Sequence, residues 1–348
     1  MNFASNNTNK STSLTSENQT IIFRLTALWA LNECGLGGFL HALNVPFTGL
    51  IIGGIAVALI SFIAHFSEVN KGIILNSLII VLIIKLLMSP HSSVTAYFAV
   101  SFQAVCALVF YRILNINLVS ILLVCILTFL ESASQKLITL TVVGGMSFWN
   151  AIDVFVENIS KQLFTAEITH ASLWLVGIYF SIYFVFSVLL AFFIYSLLEQ
   201  FKKMNISSRD NPSLWQFENV TVAKPKKQKP VWVKIILYSG IIIFVILTIF
   251  IYNKEQFYNS FLLYYFARTV SVILFWYYIV MPYAMAFVRK FLNNRIPAYQ
   301  TEVDEIIELF PKLRLIVYYA WNQTTAYKGL RRLKHFFTIT LFEIISFK

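Results

Sequence analysis

Long apolar stretches with short polar breaks run along most of this chain. Segments free of Asp, Glu, Lys and Arg occupy residues 35–67, 72–84, 86–111, 113–130, 168–198, 235–253 and 269–288. A helix crosses a bilayer with about 20 apolar residues. The pattern therefore predicts helices at about 21–35, 49–67, 72–89, 92–113, 115–131, 172–199, 231–252 and 260–288. Arg24, Asn32 and Glu33 interrupt the first. Residues 1–20 are rich in Asn, Ser and Thr and read as a disordered tail. They lack the basic stretch followed by an apolar core that marks a signal peptide.

Other patterns fall between and after the spans. Residues 36–48, with flanks GLGGFLHALNVPFTGL, hold no charge, four glycines and a proline. That reads as irregular backbone folded into protein or lining a cavity. Within residues 132–171, Phe148, Ile152, Phe155 and Ile159 recur on one helical face, with Asp153, Glu157 and Lys161 opposite. This predicts an amphipathic helix lying on the outer surface. In the last fifty residues, Thr301 and Asp304 resemble a helix start ahead of Val303, Ile306, Ile307 and Phe310. Pro311 should break or restart that helix. A second, basic amphipathic stretch follows, with Tyr327, Leu330, Leu333 and Phe336 among Lys328, Arg331, Arg332 and Lys334. It reads as bound to the inner leaflet or docked to a partner.

Composition then settles the class. Hydrophobic residues make up 58% of 348 and charged residues 12%, Phe alone accounts for 33, and mean hydropathy is +0.72. No soluble globule could bury so much apolar surface. The expected fold is an all-α polytopic transmembrane helical bundle: a six-helix membrane unit (21–200), a basic linker (201–230), a transmembrane hairpin (231–288) and a cytoplasmic amphipathic helical tail (289–348).

The net charge of +11 is uneven. Of 27 Lys and Arg, eight lie between residues 200 and 234 and ten between 286 and 348. Such blocks mark cytoplasmic segments. This places both termini in the cytoplasm, a multi-pass chain in the cell's inner membrane, and the lipid bilayer as a partner. The charge reports topology, with no nucleic-acid role expected. Cys34, Cys106 and Cys125 sit in apolar segments and read as small fillers.

An ionisable residue in an apolar span is a functional-site candidate by default. Under this topology Glu33, His41, Lys85, His91, Glu131, Gln135 and Lys136 all fall near the outer face, and Trp149 is a possible stacking wall. Together they suggest an outward-facing pocket for a small solute. Each also has a plainer reading: Lys85 snorkelling outward, Glu131 pairing with Lys136, His41 satisfying a loop carbonyl. His65 lies at the inner end of the second predicted helix and reads as an interface residue. Gln103, on a face with Ala96, Ala99 and Ala107, reads as helix packing. Glu33, Cys34, His41 and His91 match no metal spacing, and no HExxH, GxSxG or GxxxxGK[ST] motif occurs. No metal, cofactor or catalytic residue is expected, and any ATP-driven step needs a partner.

The segment ALWALNECGLGG (27–38) followed by FLHALNVPFTGL resembles the first helix and lid-like loop of substrate-binding (S) components of energy-coupling-factor vitamin transporters. The resemblance covers about residues 20–200. It implies a six-helix fold, a vitamin-like solute, and coupling to transmembrane and ATPase subunits. Ala27 and Ala30 resemble the small-residue face that such proteins present to the coupling subunit. Their spacing is three where the family usually has four, and residues 201–348 have no counterpart there. A non-transport scaffold recruiting a cytoplasmic partner, or a membrane-embedded enzyme acting on a lipid-linked substrate, are the alternatives.

Overall fold

The computed structural model describes residues 16–42, 48–89, 92–164, 170–203 and 261–346. It is all-helical there, with no strand among the described residues. Six helices are long and apolar enough to cross a membrane. The chain is a multi-pass membrane protein.

Helix α1 (Ser16–Leu31) passes through a π-helical turn (Asn32–Leu36) into α2 (Gly37–Ala42). Then come α3 (Thr48–Phe66), α4 (Lys71–Met88), α5 (Val94–Leu114) and α6 (Leu118–Phe164). The predicted spans at 49–67, 72–89 and 92–113 match α3, α4 and α5 to within a residue or two. Asn70 caps α4, its side-chain oxygen accepting from the Gly72 amide at 2.9 Å.

Three sequence-based expectations need correction. The glycine-rich stretch after Glu33 is helical as far as Ala42, and residues 43–47 lie outside the described residues. Glycine costs a helix only about 1 kcal/mol, and buried contacts of Asn32 and Glu33 hold the widened turn. The expected connection at 132–171 is mostly helix, because α6 runs on to Phe164 through a kink at Gly145 (φ 69°, ψ −175°). Glu131 and Lys136 mark no helix end, since Leu137–Val143 continues the apolar pattern. Pro311 does not interrupt its helix, which is continuous from Ile296 to Gln323. The flanking Phe310 and Leu313 are buried and hold the helix through the lost hydrogen bond.

The kink in α6 sets off residues 146–164, including the predicted amphipathic helix, whose Phe155 is 64% exposed. Asp153 serves α7 (Ala171–Lys203), accepting from the Ser172 amide at 2.6 Å and its hydroxyl at 3.0 Å. The predicted helix at 231–252 lies outside the described residues. The one at 260–288 is α8 (Phe261–Phe275), a π-helical turn (Trp276–Val280) and α9 (Met281–Asn293). Pro282, early in α9, adjoins that widened turn. The last two helices are α10 (Ile296–Gln323) and α11 (Gly329–Ser346).

Burial ranks the helices from centre to rim. Of the most apolar window of each span, 72% is buried in α3 and none in residues 267–293. Helix α1 is central as well, with Leu25, Ala27, Trp29 and Ala30 fully buried. It packs on α3, α4, α10 and α11. The α10 residues Val303, Ile306, Phe310, Leu313, Ile316 and Ala320 form one buried stripe. Polar contacts fix the same arrangement. Arg24 donates to the carbonyls of Ile344 and Ile345 at 3.3 and 3.4 Å, and Tyr299 to Asn76 at 2.8 Å. Lys334 reaches Ser196 on α7 at 2.9 Å. Close approach of α3 to α5 and α6 depends on Gly49 and Gly53, spaced as GxxxG. A Cβ on Gly49 would stand 2.6 Å from the Ser132 hydroxyl oxygen.

Candidate functional site

The π-helical turn places two adjacent polar side chains in the core. Asn32 donates to the Ile52 carbonyl of α3 at 3.1 Å. Glu33 accepts from Lys85 of α4 at 2.6 Å, and both side chains are at least nine-tenths buried. Lys85 therefore does not snorkel; its ammonium is held inside the bundle by one carboxylate. A buried pair of this kind recovers its desolvation cost only through close geometry.

The pair sits on a polar ladder between α1 and α4. Thr26 donates to Ser77 at 2.9 Å, and Ser89 donates to the Cys34 carbonyl at 3.4 Å. Thr26 and Glu33 are seven apart on α1, and Ser77 and Lys85 eight apart on α4. Both spacings keep one helical face. That shared face is the sequence signal that could have identified Thr26 and Ser77 along with the ion pair.

A second cluster lies between α5 and α6. Gln135 donates to the Glu131 carboxylate one turn away, and its amide also reaches the Thr95 carbonyl at 3.5 Å. Lys136 is exposed and does not pair with Glu131. One residue beyond Gln135, it points away from the α5–α6 seam. Trp149 donates to Thr141 of its own helix at 3.1 Å, with Phe148 edge-on at 5.2 Å. That places it beyond the Gly145 kink, away from both clusters. The side chain of His41 and the whole of His91 lie outside the described residues. His65 is half-buried at the far end of α3, its ring 5.4 Å from Phe66.

Of the predicted group, Glu33 joins Lys85 and Glu131 joins Gln135. The two pairs occupy neighbouring seams that both border the first turns of α3, one through Ile52 and the other through Gly49 and Gly53. No group of three His, Cys, Asp or Glu side chains among the described residues could hold a metal.

The small-residue face of α1 is covered. Arg24, Ala27 and Leu31 recur at i, i+3 and i+7 and share one face. Arg24 bonds α11, and Leu31 lines an apolar groove of about 310 Å³ with Arg314, Val317, Tyr318, Trp321 and Phe336. Ala27 and Ala30 are fully buried, and Ala27 shares the face whose Arg24 and Leu31 meet the chain's own α10 and α11, so that face is not a free surface. In comparison with known proteins, no protein family model, no curated protein and no solved structure matches this chain.

Proposed function

We propose that this chain is an integral membrane transport protein that holds a small solute at the Glu33–Lys85 end of its bundle. The observation that carries the reading is the ion pair, 2.6 Å long and buried between two otherwise apolar helices. Charges at such depth are expensive and mark solute or ion pathways. A π-helical turn at the same point supports it, because widened turns recur at functional sites. On this reading the pair opens toward the solute, with Lys85 free to meet an anionic group and Glu33 a cationic one. Glu131 and Gln135 lie on the next seam. The resemblance to S components makes a vitamin-sized solute the first to try, and the blocks of Lys and Arg support both termini in the cytoplasm.

Equilibrium binding of a panel of vitamins to purified protein, with Glu33→Gln and Lys85→Met alongside, tests this. Tight binding by the native chain and at least tenfold weakening in both variants is expected. Equal binding by folded variants would remove the pair from the site.

A scaffold reading draws support from α10, whose exposed Asp304 and Glu308 could meet a cytoplasmic partner. Charge reversal at these two positions, with loss of a co-purifying protein and unchanged solute binding, would favour it.

A further inference from the structure

The α5–α6 seam carries a polar feature that the Glu33–Lys85 pair does not explain. The contact from Gln135 to the Thr95 carbonyl sets the register of the two antiparallel helices. Seven residues back along α6 and eight forward along α5 bring Thr128 opposite Gln103. Glu131 lies one turn from Thr128, toward Gln135, and shares its face. Gln103 is 6% exposed and Thr128 1%. Even so, Gln103 Oε1, Thr128 Oγ1 and Glu131 Oε2 are buried oxygens with no hydrogen-bond partner.

Three other hydroxyls on α6 behave differently. Ser134, Thr139 and Thr141 each donate to the carbonyl four residues back, at 2.7, 2.7 and 2.9 Å. Thr128 makes no such bond. Gln103 also packs closely on Gly53, where an added Cβ would come within 3.2 Å of its amide nitrogen, so the side chain is held in place at the seam. Buried polar atoms are nearly always paired, so three orphaned oxygens on one seam call for a missing partner.

We propose that this seam is a binding site for a monovalent hard cation, held by the Glu131 carboxylate, the Gln103 amide oxygen and the Thr128 hydroxyl. An oxygen-only donor set suits hard ions over soft metals. The single carboxylate balances one positive charge; a divalent ion would leave an uncompensated charge among apolar helices. The site deepens the transport reading by giving it an ion to couple to, and it rests on that reading only for its purpose.

The test uses sodium alone. Thermal unfolding of the full-length protein is followed in sodium chloride and in choline chloride at equal ionic strength. Sodium should raise Tm in a saturating manner by about 2–4 °C. Thr128→Val and Gln103→Leu should abolish the shift, and Ser181→Ala on α7 should retain it. Identical melting in the two salts overturns the site, as does a shift that survives both substitutions. If the variants do not fold, equilibrium dialysis of the native protein with radiolabelled sodium decides, and absence of saturable retention overturns it. No solute is present in either measurement. Failure of the cation site therefore leaves the solute reading standing, and failure of solute binding leaves the cation site standing.

Discussion

A carboxylate and an ammonium group 2.6 Å apart between apolar helices have both given up water, and each now depends on the other. Removing one partner leaves an uncompensated buried charge, at a cost of about 3–5 kcal/mol. Glu33→Gln and Lys85→Met should each lower stability by that order, measured by thermal unfolding in detergent. The double variant Glu33→Gln, Lys85→Met leaves no lone charge and should cost much less than the sum. Additive losses in that cycle would mean that the pair is not coupled. Glu33 and Lys85 were both visible in the sequence as rare charges in long apolar runs. Their meeting was only partly visible, because the Thr26–Glu33 and Ser77–Lys85 spacings mark one face on each helix but do not say that those two helices are neighbours. Gln103 was likewise visible, but its orphaned oxygen emerges only once Thr128 stands opposite.

Among the elements, α6 departs furthest from expectation. The spans predicted at 49–67, 72–89 and 92–113 are legible because each is an uninterrupted apolar run of membrane length. In α6 the polar residues Glu131, Gln135 and Lys136 hide the continuation, since a helix extending past the expected membrane face looks the same as a helix ending. Gly145 makes the real break. Its φ of 69° and ψ of −175° lie in a region essentially closed to residues with a Cβ, and the Arg268 guanidinium fills the space where one would go. Gly145→Ala should destabilise by about 1–3 kcal/mol, seen as a lower unfolding midpoint. Downstream, Asp153 holds the amide and hydroxyl of Ser172 at the start of α7. Asp153→Ala should speed hydrogen exchange at Ser172 while leaving the middle of α7 unchanged.

For the whole molecule, the decisive relation is that α10 and α11 pack on α1. Their amphipathic stripes are plain in the sequence, at Val303, Ile306 and Phe310 for instance, but a stripe does not say what it covers. Lipid head groups, a partner subunit and the chain's own first helix would all satisfy it. The arrangement predicts that a cysteine at Ala27 is shielded. Ala27→Cys, with the native cysteines replaced by serine, should react with a maleimide at least tenfold more slowly in the full chain than after deletion of residues 296–346. Equal rates would show that α10 and α11 do not cover α1. Under the transport reading, a coupling subunit that used this face would have to displace α10 and α11 first.

The Arg24 bonds to Ile344 and Ile345 join residues about 320 positions apart, with the last helix closing over the first. A ribosome adding about 5–20 residues per second needs roughly 16–64 s to cover that distance. For all that time α1, one of the most buried helices of the finished protein, stays without its cover while the rest of the chain is made. A message cut short before α11 would thus strand α1, and loss of residues 329–346 should be read by the cell as failure of the whole protein.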